Sequence, residues 1–274
     1  IKKINPNIIY ASGSGFGQYG PITHRPCYDI VAQAMGGMLN LTGFKENDPV
    51  KVGPSVADHV AGIYLMVGVG MALYHREKTG EGQHIDVSMF DVIFSLLENA
   101  IVNYTMGGFI PERNGNVDPS IAPFDVYACK DGFVALGVGN DKLFNKFANI
   151  IGHPELLEDE RYKDNVSRCD NYIPDLQNLI REWCADYTKS EIEDIMDEAG
   201  IPCGPVLNVK EAIEHPHIQA RDMMVHCEHP TVGDMYFQGC VIKLSETPGE
   251  VETAPPLVGQ HNREVFGLSE EEEK

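Results

Sequence analysis

The sequence predicts an α/β chain, with a large unit built on a parallel sheet followed by a smaller α+β unit. Three stretches carry this reading. IIYAS (8–12) is a short apolar run of the kind buried in a parallel sheet, and the glycine-rich GSGFGQYGP (13–21) follows it at once. QHIDVSM (83–89) alternates in polarity like a strand and has long apolar helical patterns on both sides. FDVYAC, KDG and FVALGVG (124–139) read as strand, turn and strand, the signature of a hairpin.

The remaining elements follow in order. IKKINPNIIY has no starting Met and reads as the end of a helix, a turn at Asn5-Pro6-Asn7 and a strand. An α/β domain rarely opens this way, so the N-terminal part of the large domain is expected to lie outside this sequence. A helix is predicted from Asp29 to Met38, then a polar loop at 45–49 and a short strand at 50–53 (VKVG). Val60 to Lys78 reads as a helix closed by Thr79-Gly80, with His75, Arg76 and Lys78 in the last turn, where the dipole favours cations. Gly62, Gly68 and Gly70 cost helix propensity inside it and are expected at close packing contacts. Asp91 to Tyr104 reads as a second long apolar helix.

A composition shift at 107–123 marks a linker. Beyond the hairpin, helices are predicted at 141–151, 171–186 and 190–199, the last opened by a capping box from Ser190 to Glu193. Residues 201–206 read as an extended run, and 208–224 as helix interrupted at Pro216. Short strands, a final helix near 260–267 and the acidic tail SEEEEK complete the chain. The expected organisation is a large-domain part (1–106), the linker (107–123), a small domain (124–222) and a return to the large domain with the tail (223–274).

Composition bounds the function. With 274 residues, 43% of them hydrophobic and 23% charged, the chain can build a sizeable core. A formal net charge of -20 argues against nucleic acid or an anionic membrane surface as partner, since both would repel it. The seven scattered cysteines contain no C-x-x-C pair and read as reduced thiols of a cytoplasmic protein. Val60 to Tyr74, the most apolar segment, is shorter than the roughly 20 residues of a membrane span and is expected to be a buried helix.

Several motifs can be weighed for chemistry. GFGQYG (15–20) matches G-x-G-x-x-G after a strand, but Pro21 follows it, and Asn40 stands where a dinucleotide site would place an acid. It reads instead as a tight turn at the carboxyl end of a strand, a place where ligand crevices form. His215, His217, His226, His229 and Cys227 match no zinc spacing, so no metal is expected. No G-x-S-x-G is present, and Ser12 and Ser14 have no base close by in sequence. Asp58, in SVADHVAG (55–62), fits the cap of the helix that follows, a role worth about 1 kcal/mol. It also fits an ionised nucleophile, because a helix N-terminus stabilises a carboxylate and Val56, Ala57, Val60 and Ala61 offer a small, dry surround. On spacing alone the cap is the favoured role, and the two roles need not conflict.

At this point five blocks, in order, resemble the class III CoA-transferases of the CaiB/BaiF type, formyl-CoA transferase among them. They are NPNIIYASGSGFGQYGP, YDIVAQAMGGMLNLTG, GPSVADHVAGIYLMVGVGMALYHREKTGEGQHIDVSMFD, AGIPCGPVLNVKEAIEHPHIQARDM and APPLVGQHNREVFGL. The resemblance implies a Rossmann-like large domain, a smaller domain and an interlocked homodimer. It places the nucleophile at Asp58 and a wall for CoA or the acyl group at Ser14, Gly15, Phe16 and Gly17. It implies an acyl-CoA and a carboxylic acid as substrates, coenzyme A passing between them, and no permanently bound cofactor. In this family much of the CoA site comes from the N-terminal part. Loops 40–52 and 107–123 are expected to shape acyl specificity.

Two alternatives accompany that reading. One is an α-methylacyl-CoA racemase-like enzyme of the same fold, in which a G-H-D-I-N-Y motif supplies a histidine. Here the matching stretch is Pro26 to Ile30 with Tyr28 in the histidine's place, which favours the transferase. The other is a truncated, non-catalytic paralogue that only dimerises.

Overall fold

The computed structural model describes residues 1–267; the acidic tail expected at the C-terminus lies outside the described residues. The chain divides into two compact units, residues 1–205 and the residues from 206 onward. The fold is mixed α/β.

The first unit begins with β1 (Tyr10–Ser14), two residues later than the apolar run suggests. It pairs in parallel with β2 (His84–Ser88), Tyr10 opposite His84 and Ser14 opposite Ser88. Parallel strands need a long crossover, supplied by α1 (Asp29–Met35), α2 (Met38–Leu41) and α3 (Val56–Thr79). The helix expected to run from Asp29 to Met38 is thus two short ones, broken at Gly36 and at Gly37, whose φ is 97°. A Cβ at Gly36 would lie 2.5 Å from Ile93 Cγ2, so glycine there lets the chain pass close to Ile93, which lies in the helix Met89–Ser95.

α3 starts four residues earlier than predicted and closes at Gly80 (φ 78°), whose N–H reaches the Arg76 carbonyl at 2.8 Å. Its 24 residues make it, among the described residues, long and apolar enough to cross a membrane by length and composition. The expectation of a span too short for that is therefore corrected. So is the expectation of burial, since Ile63, Met66, Val67, Met71 and Tyr74 are exposed. Gly68 does mark a close contact, with Ile85 Cγ2 2.9 Å from where its Cβ would stand, whereas Gly62 and Gly70 face open space.

No strand forms at 50–53, because the Val52 N–H is taken by the Gln33 side chain at 3.0 Å. The helix expected over 91–104 is α4 (Met89–Ser95) and α5 (Asn99–Thr105). The Ser95 hydroxyl donates to the Val92 carbonyl at 2.7 Å, competing with the helical ladder, and Glu98 takes φ 49° between the two.

Residues 122–201 hold the main core. β3 (Phe124–Cys129) and β4 (Gly132–Gly137) form the expected hairpin, and β5 (Cys203–Pro205) adds antiparallel to β4. Against them pack α6 (Asp141–Ile150), a 3₁₀ turn (Pro154–Leu157), α7 (Asn165–Asp170), a π turn (Tyr172–Leu176), α8 (Gln177–Ala185) and α9 (Lys189–Ala199). Phe144, Phe147, Tyr127, Ile180, Ile192 and Met196 are buried there. The capping box of α9 is Thr188 with Glu191, not Ser190 with Glu193. Lys189 N–H donates to Asp131 Oδ1 at 2.7 Å, which draws the helix start back.

The second unit carries α10 (Val209–Glu214) and α11 (Pro216–Ala220), separated at Pro216 as expected. An antiparallel hairpin of β6 (Met224–His229) and β7 (Gly233–Gln238) follows, then α12 (Asn262–Phe266).

Candidate active site

The site is organised by the start of α3. Its N-cap residue, Ser55, makes no side-chain capping bond. Asp58 does not cap it either: it sits in the first turn, two residues past Val56. The cap comes from another helix. Asp29, buried at the start of α1, accepts the Ala57 N–H through Oδ1 at 2.9 Å and the Gln33 Nε2–H through Oδ2 at 2.7 Å. Gln33 is fully buried and turns its own oxygen to the Val52 N–H. Two side chains of α1 thus tie down the loop before α3 and the first turn of α3.

This arrangement leaves the Asp58 carboxylate uncommitted. Its side chain is exposed, and among the described residues no hydrogen bond engages it. The dry surround expected from Val56, Ala57, Val60 and Ala61 is present only on the side of Ala57 and Ala61, which are buried. Ala57 joins Ala32 and Ile93 in a small apolar cluster beneath the turn. His59 is directed elsewhere, its Nδ1 lying 2.8 Å from the Ser55 carbonyl.

The glycine loop approaches the same place through Cys27. A Cβ on Gly15 would stand 2.2 Å from Cys27 Cβ, so only glycine fits. Burial pushes the Cys27 thiol pKa up, and the negative charges of Asp58 and Asp29 push it further, against a backbone hydrogen bond at Ala32 that pulls it down. The thiol is therefore held protonated beside the carboxylates.

The loop itself is pinned on several sides. The Gly15 carbonyl accepts the Phe90 N–H at 3.0 Å, and Ser14 Oγ accepts the Gly17 N–H at 3.0 Å. Gly17 takes φ 81°, and the Gln18 N–H donates to Asp86 Oδ2 at 2.9 Å. Phe16 is buried against Phe90, with ring centroids 6.0 Å apart. Asp86 Oδ1 is buried without a partner among the described residues.

Other sequence candidates fall as follows. Ser12, with no base near it in sequence, meets one across the parallel strands: His84 Nε2 lies 2.8 Å from its Oγ. His226 pairs with Asp234 at 2.7 Å, while His229 and His215 accept backbone N–H groups of their own turns. Among the described residues no group of three or more metal-ligating side chains comes together. Tyr28 is exposed. Loops 40–52 and 107–123 converge: Arg113 donates to the Phe44 and Asn47 carbonyls, Lys45 pairs with Glu112 at 2.6 Å, and the Gly115 N–H reaches the Gly43 carbonyl at 2.9 Å. A cavity of about 500 Å³ opens beside them, lined in part by Leu41, Lys45, Leu97, Asn103 and Ile110.

Sequence reasoning missed Asp29 and Gln33. Their signal was present: two polar residues four apart, on one face of an otherwise apolar helix.

Comparison with known proteins places the chain in a family. The model of CoA-transferase family III matches residues 1–262. The chain belongs to that family. It is 35% identical to the succinyl-CoA–D-citramalate CoA-transferase of Chloroflexus aurantiacus, over 99% of this chain and 69% of that protein. It is 39% identical to the acetyl-CoA:oxalate CoA-transferase of Acetobacter aceti, over 94% of this chain and 65% of the relative. The crystal structure of a CAIB/BAIF family protein from Brucella suis superposes with a TM-score of 0.82 at 32% identity, over 97% of this chain and 69% of that one.

Proposed function

We propose that the protein moves coenzyme A from an acyl-CoA to a carboxylic acid, with Asp58 as nucleophile. The observation that carries this is the uncommitted Asp58 carboxylate in the first turn of α3, whose N-terminus is capped by a different side chain. Its place in the first turn sets it at the positive end of the helix dipole, and among the described residues no hydrogen bond engages its oxygens. Asp58 attacks the thioester carbonyl, forming an acyl-aspartyl anhydride and releasing CoA thiolate. The thiolate attacks the aspartyl carbonyl, and the donor acid leaves as a carboxylate. The acceptor carboxylate then attacks the aspartyl-CoA thioester and gives a second anhydride. Returning thiolate takes the new acyl group and frees Asp58. Each tetrahedral intermediate needs donors at its oxyanion and exclusion of water.

We read the loop at Ser14, Gly15, Phe16 and Gly17 as a wall for CoA or the acyl group; glycine at position 15 seats that loop against Cys27, which fills the space a side chain there would take. The protonated Cys27 beside it does not compete as a nucleophile. The relatives named above act on small acids, and we extend to this chain a small carboxylate as acceptor, with loops 40–52 and 107–123 setting which one. The large domain is proposed to be Rossmann-like, and the working unit an interlocked homodimer. In the complete protein, Asp58→Ala is expected to abolish CoA transfer while far-UV circular dichroism stays unchanged. Turnover near that of the parent would remove Asp58 from the mechanism.

A further inference from the structure

Asp58 stands on a turn whose geometry is set from α1. The start of a helix offers backbone N–H groups that need acceptors, and α3 does not supply one from Ser55. Asp29 provides it across 28 residues of sequence. Its two oxygens face two donors, the Ala57 N–H and the Gln33 side-chain amide. The orientation of that amide is not free. The Val52 N–H requires the Gln33 oxygen on its side, which leaves only the NH₂ group for Asp29. The relay is buried, Asp29 at 7% exposure and Gln33 at 0%, so an unmatched donor within it is costly.

We propose that Asp29 and Gln33 are positioning residues that hold Asp58 in its attacking orientation. They do so by fixing the backbone of Ala57, the residue immediately before it. This rests on the nucleophile reading of Asp58. The relay has a definite polarity: two acceptors at position 29, one donor and one acceptor at position 33. Asp29→Asn breaks it, because an amide offers one acceptor and sets NH₂ against NH₂. Adding Gln33→Glu restores it with the roles exchanged. The amide oxygen now at position 29 accepts the Ala57 N–H, and its NH₂ donates to the carboxylate now at position 33. The second oxygen of that carboxylate accepts the Val52 N–H.

The test is single-turnover formation of the aspartyl adduct with acyl-CoA, followed by rapid-quench mass spectrometry on the complete protein. Asp29→Asn, Gln33→Glu, the double variant and Asp58→Ala are compared, with the melting temperature of each. Misplacing a reacting group by about 1 Å costs on the order of a hundredfold in rate. Asp29→Asn is therefore expected to slow the rate constant about a hundredfold, with the acyl-CoA concentration giving half-maximal rate unchanged. The double variant is expected to recover at least about tenfold of that loss. A purely structural cap would lower the amplitude and the melting temperature and leave the rate constant of the folded fraction alone. That outcome, or a double variant no faster than Asp29→Asn, overturns the proposal. Adduct formation by Asp58→Ala at the parental rate overturns instead the nucleophile reading beneath it.

Discussion

Asp58 and Cys27 share an electrostatic environment that can be read without any substrate. The Cys27 thiol pKa is raised by burial first and by the Asp58 and Asp29 charges after that. Removing one charge lowers it, and thiolate is the species that alkylates. Asp58→Asn is therefore expected to speed iodoacetamide labelling of the Cys27 peptide at pH 8, with the pH profile displaced to lower pH. An unchanged profile would mean that Asp58 does not face Cys27. At this scale the sequence was partly legible. The position of Asp58 at the beginning of an apolar helix was visible in SVADHVAG, whereas the need for glycine at position 15 comes from Cys27, which the sequence does not place beside it. The capping role of Asp58 was not correctly legible, because the real cap is a side chain 28 positions upstream of Ala57. Nothing local in residues 55–62 distinguishes a helix capped by its own aspartate from one capped by another helix.

Elements whose signals are local were read well, and those decided by distant partners were not. The β3–β4 hairpin is encoded by its own alternation and by Lys130-Asp131-Gly132 between the strands, and it appears where expected. The split between α4 and α5 depends on Ser95 bonding back to Val92 and on Glu98 leaving helical geometry, which an apolar periodicity does not reveal. Residues 50–53 look like a strand, but the Val52 N–H is taken by the Gln33 side chain from another element. At α9 the pattern S/T-x-x-E occurs twice, and the earlier copy is used because Asp131 binds the Lys189 N–H. Thr188→Ala is thus expected to destabilise residues 1–205 by about 1 kcal/mol in urea denaturation, whereas Ser190→Ala leaves stability nearly unchanged. Equal costs at the two positions would contradict the observed box.

For the whole molecule, the exposed apolar side of α3 is the feature that composition did not announce. Ile63, Met66, Val67, Met71 and Tyr74 form a large apolar surface on one helix, and such surfaces mark interaction sites. They support the homodimer reading, which predicts a two-chain species for the complete protein in sedimentation equilibrium; Met71→Glu is expected to shift it toward monomer. A parent that sediments as a single chain would remove that reading. The glycine loop, the α3 turn and the relay from α1 all lie within residues 1–205, with Cys27 packed against the loop and influenced by the Asp58 charge. The central claim is that the Asp58 carboxylate becomes covalently attached to substrate. Incubating the complete protein with acyl-CoA, trapping with acid and sequencing the modified peptide by mass spectrometry tests it most directly. The account predicts an acyl or CoA mass on Asp58, absent from Asp58→Ala; an active protein whose adduct sits on another residue, or that forms none, would contradict it.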